Sequence, residues 1–378
     1  MKLIHTSDWH LGRFLLGKSR AEEQAAFLSW LSALIREEKA DLLIAAGDIF
    51  ETHTPSNAAQ KLYYDFLSRT SSAYTVIIGG NHDSPSLIAA PKNLLKTINV
   101  YAVGDLSEDI EGGVILIERD GVVKAIVCAA AYLPTPQDTL KRFSDMIAYA
   151  EYKQREIISV HGVKAPIIAV GHLSAAGLDG VWRNKYEGLK DETVDLTSFI
   201  QKVDYFALGH IHSAMTVNKA EHFRYSGSPI DMNPMQTHRS DKKVIVVEFK
   251  EGERLIKEVF TPVFQNIINI EGSFDKVYYE TESLIRSGVQ GWLLIRCSGS
   301  ESYNQVKESL MELTDNSGVE IIHIEKLEEI EPMTVGNFED LRTPNRLFQR
   351  FLDARNIAQE EQEELITAFN EILRTLDE

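Results

Sequence analysis

Asp41-Leu-Leu-Ile-Ala-Ala-Gly-Asp-Ile-Phe50 is the stretch on which the fold turns. Leu42 to Ala46 is an unbroken apolar run of strand length, the pattern of a strand buried on both faces in a parallel sheet. It ends in Gly47-Asp48, so a carboxylate stands where the strand gives way to a loop. In open α/β sheets that carboxyl edge is where ligands bind. A lone Gly-Asp is usually a turn, but this one has counterparts along the chain. Asp8-Trp9-His10 follows Leu3-Ile4, and Gly80-Asn81-His82-Asp83 follows Thr75-Val-Ile-Ile78. Gly171-His172 follows Ile167-Ile-Ala-Val170, and Gly209-His210-Ile211-His212 follows Tyr205-Phe-Ala-Leu208. Each apolar strand runs into a residue that can bind a metal ion, and Asp48 reads as the carboxylate shared at the centre of the set.

Around these strands the pattern alternates. Lys2–Thr6 and Thr75–Ile78 read as strands, and Arg20–Glu38, Asn57–Arg69 and Ser86–Thr97 as helices. That order argues for a layered α/β domain. Val114–Glu118 and Lys124–Ala129 flank Asp120-Gly121, a hairpin signal, and Gln137–Ser159 is helical. Short strands follow at Phe223–Ser226, Lys243–Phe249 and Ile256–Thr261. The expectation is α/β: a two-sheet sandwich over residues 1–263. From Phe264 a second βαβαβ pattern begins, a smaller α/β capping domain over 264–328 without a metal-ligand cluster. Residues 329–342, polar with Pro332 and Gly336, read as a linker, and 343–378 as C-terminal helices.

The chain has 378 residues, which favours about two or three domains over one. Its net charge of −17 argues against a broad basic nucleic-acid surface and suits a site that collects cations. Bound metal ions would still supply local positive charge for a phosphate. Cys128 and Cys297 lie far apart in apolar runs and read as buried reduced thiols. The N-terminus lacks the apolar core of a signal peptide. No run reaches the roughly 18–20 apolar residues of a membrane span. A cytoplasmic protein without membrane contact is expected.

Asp8 and His10 are two apart, so in extended backbone both side chains point the same way; His210 and His212 repeat that spacing. With Asp48 bridging, one site takes Asp8, His10, Asp48 and His212, and the other Asp48, Asn81, His172 and His210. Few of these ligands carry formal charge, so two divalent ions would leave a positive centre suited to an anionic phosphate. Any one of these histidines alone would more often be a packed or surface residue. The ordered set, each member after an apolar strand, outweighs that reading. For His5, His161, His222, His238 and His323 the bland reading holds, and for His53 the question stays open. His82, beside the ligand Asn81, is free of metal in this scheme and can stabilise the transition state or protonate the leaving oxygen. Asp83 either holds the His82 ring or fixes its own loop as an Asx-type turn.

This order of motifs resembles that of the calcineurin-like metallophosphoesterases. His5-Thr-Ser-Asp-Trp-His-Leu-Gly12, Gly47-Asp-Ile-Phe50, Gly80-Asn-His-Asp-Ser84, Gly209-His-Ile-His212 and Tyr225-Ser-Gly-Ser-Pro229 more closely resemble the SbcD family, nuclease subunits of bacterial SbcCD complexes that act in double-strand-break repair. The resemblance implies two Mn2+ ions, a 3′→5′ exonuclease on duplex DNA and an endonuclease on single strands and hairpins. It implies an SbcC-type coiled-coil ATPase as partner, met by the C-terminal helices. It also implies a homodimer within a heterotetramer, formed through the helices Asn57–Arg69 and Ser86–Thr97. Archaeal relatives often carry His where Glu51 stands, so that residue's role does not transfer. Ligand chemistry alone suits Zn, Fe or Mn. A phosphoesterase for a small nucleotide or phosphoprotein would use the same ligands, but needs neither the capping domain nor the tail. A scaffold with a dead site would not need every ligand position filled.

Overall fold

The computed structural model describes residues 1–70, 73–104, 110–177, 193–233, 241–250 and 252–327, with Phe348, Leu352, Gln362, Leu365, Ile366, Ala368 and Phe369. Residues 1–297 and 301–325 form one compact unit, and residues 298–300 and 326–378 another.

Within the first unit, one six-stranded sheet runs in the order Glu253–Phe260, Lys243–Lys250, Lys2–Thr6, Leu42–Ala46, Tyr74–Ile78, Val100–Val103. Its last four strands are parallel. The other six-stranded sheet runs Met215–Val217, Ala220–Tyr225, Tyr205–Gly209, Ile167–His172, Val122–Ala130, Val114–Arg119, and its middle four strands are parallel. Alternation along Leu42–Ala46 shows how the layers are built. Leu42, Ile44 and Ala46 pack between the sheets with Val76, Val127, Val170 and Ala207. Leu43 and Ala45 face the other way, against Phe27, Leu31, Tyr63 and Phe66 of the helices Ala21–Glu37 and Asn57–Arg69. The far face of the second sheet is covered by the helix Pro136–His161 through Phe143, Met146, Ile147 and Ala150. The two-sheet α/β sandwich read from the sequence is the fold observed.

Local chemistry sets the helix ends. Ser56 accepts from the Ala59 N–H and opens Asn57–Arg69. Thr135 caps Pro136–His161, with Pro136 at the first turn and Gly162 closing the helix in the left-handed region. The helix expected over Ser86–Thr97 is instead two short ones, Pro85–Ala89 and Lys92–Lys96. Pro91, between them, has no N–H to continue the ladder.

Residues 267–326 carry a three-stranded sheet in the order Ile267–Ser273, Gly291–Ser298, Val319–Lys326. The helices Phe274–Arg286 and Tyr303–Thr314 pack on it around Val277, Leu293, Ile295, Val306 and Leu310. Another small cluster joins Ile267 and Leu294 to Leu15, in a ladder of Phe14–Leu15 with Lys18–Ser19.

The expected linker 329–342 and His238 lie outside the described residues. So do the C-terminal helices expected over 343–378, apart from single positions. Among those positions, the Phe348 and Phe369 rings stack at 4.1 Å. Cys128 and Cys297 are buried and in no disulfide, and burial pushes Cys128 up to about 12. Among the described residues no helix is long and apolar enough to cross a membrane.

Candidate metal centre

Parallel pairing brings the carboxyl ends of Lys2–Thr6, Leu42–Ala46 and Tyr74–Ile78 to one edge of the first sheet. Those of Ile167–His172 and Tyr205–Gly209 end side by side in the second. The loops beyond these ends are laced together. Asp8 N donates to Gly47 O (2.9 Å), His10 N to Asp48 O (3.0 Å) and Leu11 N to Ile49 O (2.9 Å). The chain turns sharply enough there that Asp8, His10, Asp48 and His210 all adopt positive φ, at 54°, 47°, 50° and 99°. Such backbone costs about 1–3 kcal/mol per residue and persists only where the surroundings fix it, typically at functional sites.

Two glycines are dictated by this crowding. A Cβ on Gly80 would sit 2.2 Å from Asp48 Oδ1, and one on Gly209 would sit 1.8 Å from Ala46 O.

The side chains converge, but through these turns and not through the extended backbone expected from the two-residue spacing of Asp8 and His10 and of His210 and His212. Ligand atoms of Asp8, His10, Asp48 and His212 all lie within 4.8 Å of one another. His10 Nε2 is 3.1 Å from His212 Nε2 and 3.6 Å from Asp48 Oδ2, and His212 Nε2 is 3.9 Å from Asp8 Oδ1. On the other side of Asp48, His172 Nε2 is 3.4 Å from Asp48 Oδ2. Asn81 Oδ1 lies 3.0 Å from both His172 Nε2 and His210 Nδ1. Asp48 thus reaches both groups. Asp8, His10, Asp48 and His172 are buried, whereas Asn81, His82, His210 and His212 are half-buried, so the cluster opens to one side.

The donor set fits divalent cations. His172 Nδ1 faces the Ala46 carbonyl at 2.9 Å, which places a proton there and turns Nε2 toward Asn81 and Asp48 oxygens. His10 Nδ1 lies 2.9 Å from Glu51 Oε2, and its Nε2 is turned to His212. Atom separations of 3.0–3.9 Å suit the edges of a shell with ligand distances of about 2.0–2.2 Å.

Electrostatics agree. Burial raises the Asp48 carboxyl, but the His172 and His10 rings outweigh it and hold it well below the ordinary range. Burial, helped by the Asp48 charge, raises Asp8. Burial opposes charge on His172, yet the Asp48 and Asp8 carboxylates carry it up to about 9. His210 and His212 are pushed down to about 4 and 3, chiefly by burial, and are neutral at neutral pH.

The neighbours hold this arrangement. His82 N donates to Asp48 Oδ1 (2.9 Å), and His82 Nδ1 faces the Glu51 carbonyl at 2.9 Å. Asp83 does not hold the His82 ring, which corrects the first of its two expected roles. Its oxygens accept from Gly80 N, Ile49 N and Phe50 N and so tie the 47–50 and 80–83 loops together. The His82 ring turns instead to the Glu51 carbonyl. Tyr225 Oη accepts from Ala175 N and donates to Leu173 O, both at 2.8 Å, and steadies the loop after His172. Lys242 Nζ donates to the His212 carbonyl at 3.2 Å.

Glu51, left without a role by the sequence, pairs with Arg13 at 2.9 Å as well as facing His10. Burial raises its carboxyl, but His10 and Arg13 outweigh that and lower it. His53 is exposed. His5 is a core histidine, 2.9 Å from Tyr205 Oη and pushed down to about 3 by burial.

The family model described as calcineurin-like phosphoesterase matches residues 1–214, a span that holds the whole constellation. Another, described as type 5 capsule protein repressor C-terminal domain, matches residues 263–356. The D subunit of nuclease SbcCD from Escherichia coli (strain K12) is 28% identical over 403 residues, covering 100% of this chain and 98% of that protein. The same subunit from Bacillus subtilis (strain 168) is 30% identical over 269 residues, 67% of each. The chain belongs to the calcineurin-like phosphoesterases, in their SbcD line. Its counterpart in Rhodobacter capsulatus is 31% identical over 256 residues, 62% of this chain and 63% of that one. Among solved structures, TT1561 of Thermus thermophilus aligns with a TM-score of 0.37 at 11% identity, over 68% of this chain and 98% of that one. As a member of this family, the chain is a metal-dependent hydrolase of phosphodiester bonds, a nuclease.

Proposed function

We propose that the chain is the nuclease subunit of an SbcCD-type complex, a 3′→5′ exonuclease on duplex DNA and an endonuclease on single strands and hairpins. Two Mn2+ ions are its cofactors, one held by Asp8, His10, Asp48 and His212, the other by Asp48, Asn81, His172 and His210. The observation that carries this reading is the convergence of imidazole, amide and carboxylate lone pairs on both sides of Asp48.

Divalent ions bound there would supply Lewis-acid activation of a water and of the scissile phosphate. The chain's own part is to hold the neutral imidazoles in one tautomer, to keep Asp48 ionised, and to present His82 on the open side. With Nδ1 against the Glu51 carbonyl, His82 is oriented so that Nε2 can give a proton to the departing alcohol.

In this reading residues 264–328 cap the site, and the helix Asn57–Arg69 with the short helices Pro85–Ala89 and Lys92–Lys96 pairs two copies within a heterotetramer. The segment 343–378 docks a coiled-coil ATPase of the SbcC type. A chain ending at Met333 then keeps basal nuclease activity but no longer co-purifies with the ATPase. Unchanged affinity would leave the tail a merely structural element.

Hydrolysis of plasmid DNA and of a small chromogenic diester, each with Mn2+ and with EDTA, tests the reading. DNA cleavage that needs Mn2+ is expected. Diester turnover with intact plasmid would favour a small-substrate phosphoesterase.

A further inference from the structure

The stretch Tyr225-Ser-Gly-Ser-Pro229 holds none of the ligand candidates, yet it meets the loops that do. Ser226 is the first residue beyond the strand Ala220–Tyr225 of the second sheet, and Ser7 the first beyond Lys2–Thr6 of the first. Their hydroxyls, 219 residues apart in the chain, meet at 2.8 Å. Both side chains are buried. A buried hydroxyl is costly unless it is hydrogen-bonded, and the partners here give the pair a direction. Ser7 Oγ donates to Asp8 Oδ2. A hydroxyl has one proton to give, so Ser7 accepts from Ser226. The other acceptor near Ser226 Oγ, the Gly227 carbonyl, is farther away at 3.3 Å. Asp8 passes the constraint on, because its Oδ1 accepts from His210 N at 3.0 Å.

Ser226 is itself held on either side. Tyr225 Oη bonds the chain after His172, at Leu173 O and Ala175 N. Ser228 N donates to the His212 carbonyl at 3.3 Å, and Ser228 Oγ to Ile230 O at 2.8 Å. Lys242 Nζ donates to the same His212 carbonyl at 3.2 Å. The turn that carries Ser226 is therefore tied to the chain at two ligand candidates before it reaches a third.

We propose that Ser226 is a positioning residue that acts through Ser7. The hydrogen-bond chain from Ser226 Oγ through Ser7 Oγ to Asp8 Oδ2 sets the Asp8 carboxylate, and with it the backbone of His210. The proposal rests on the two-metal reading for its purpose, since Asp8 is a ligand there, but the relay needs no metal. Groups that hold a ligating carboxylate from behind are worth about 10–100-fold in metal affinity. Ser7 bonds the carboxylate directly and Ser226 only fixes Ser7, so Ser7 should matter more. Members of one hydrogen-bond network do not add: once Ser7 is gone, Ser226 has nothing to act on.

The test uses the full chain as wild type, Ser7→Ala, Ser226→Ala and the double variant. In the metal-free chain, the His210 amide should exchange with solvent faster in Ser226→Ala than in wild type, while amides of Leu42–Ala46 keep their rates. Equal acceleration everywhere would mark Ser226 as merely structural and overturn the proposal. Calorimetry with Mn2+ should show one of two sites weakened about 10–100-fold in Ser7→Ala and by less in Ser226→Ala. The double variant should match Ser7→Ala. A double loss equal to the product of the two single losses would overturn the relay, as would wild-type exchange and affinity in Ser226→Ala. Should Ser7→Ala not fold, exchange and affinity in Ser226→Ala decide alone. A wild-type chain that binds no Mn2+ would count against the metal centre, and the exchange comparison would still decide the relay.

Discussion

The Nε2 atoms of His10 and His212 stand 3.1 Å apart. His212 is held neutral by burial and so keeps a lone pair for a metal at neutral pH. Two such nitrogens at this distance, with the Asp48 and Asp8 oxygens close by, describe a cation site. The same logic holds at Asn81 Oδ1, set between His172 and His210.

His82 touches Asp48 only through its backbone N–H, and its ring is turned to Glu51. His82→Ala should therefore keep both metal affinities within a few-fold and lower turnover by about 10²–10⁴-fold. Single-turnover DNA cleavage at saturating Mn2+ is the check. A near wild-type rate would remove His82 from the reaction.

Metal uptake should release protons. Without metal, His172 has its pKa raised to about 9 by Asp48 and Asp8 against the effect of burial, so it is protonated at neutral pH. An ion needs the neutral ring, and His210 and His212, at about 4 and 3, have no proton to lose. Affinity should thus rise with pH and level off as pH passes His172's own value, with about one proton released per chain by this ligand near neutrality. Calorimetry in buffers of different ionisation enthalpy measures it. Affinity that falls as pH rises would contradict the assignment.

Gly80→Ala should act through Asp48. The new methyl would meet Asp48 Oδ1 at 2.2 Å and its backbone N at 2.3 Å. Overpacking of this kind costs about 1–3 kcal/mol, and it displaces the Asp48 carboxylate. Both a lower denaturation midpoint and weakened Mn2+ binding are expected. Unchanged binding would mean that the loop moves aside freely.

What was legible in the sequence is what local pattern controls. Leu42–Ala46 and Ile167–Val170 are apolar on every residue, so their burial on both faces followed at once, and with it the position of Asp48 and His172 at a sheet edge. The hydrogen-bond partners of the loops were not legible, because they are set by chain segments far apart in sequence. Asp83 stands next to His82, yet its oxygens go to the backbone of residues 49 and 50. Glu51 acquires meaning only when the fold brings Arg13 and His10 beside it. The ladder Phe14–Leu15 with Lys18–Ser19 is too short to show a period. Ser86–Thr97 kept a helical apolar spacing, which hid the break at Pro91.

The account depends most on Asp48 serving both sides of the centre, 3.6 Å from His10 Nε2 and 3.4 Å from His172 Nε2. Calorimetric titration of metal-free wild type, Asp8→Ala and Asp48→Ala with Mn2+ tests this directly. Wild type should bind two ions, and Asp8→Ala should weaken mainly one. Asp48→Ala should bind neither at wild-type affinity and should leave DNA intact. Two ions still bound to the Asp48→Ala chain would contradict the shared carboxylate and the mechanism built on it.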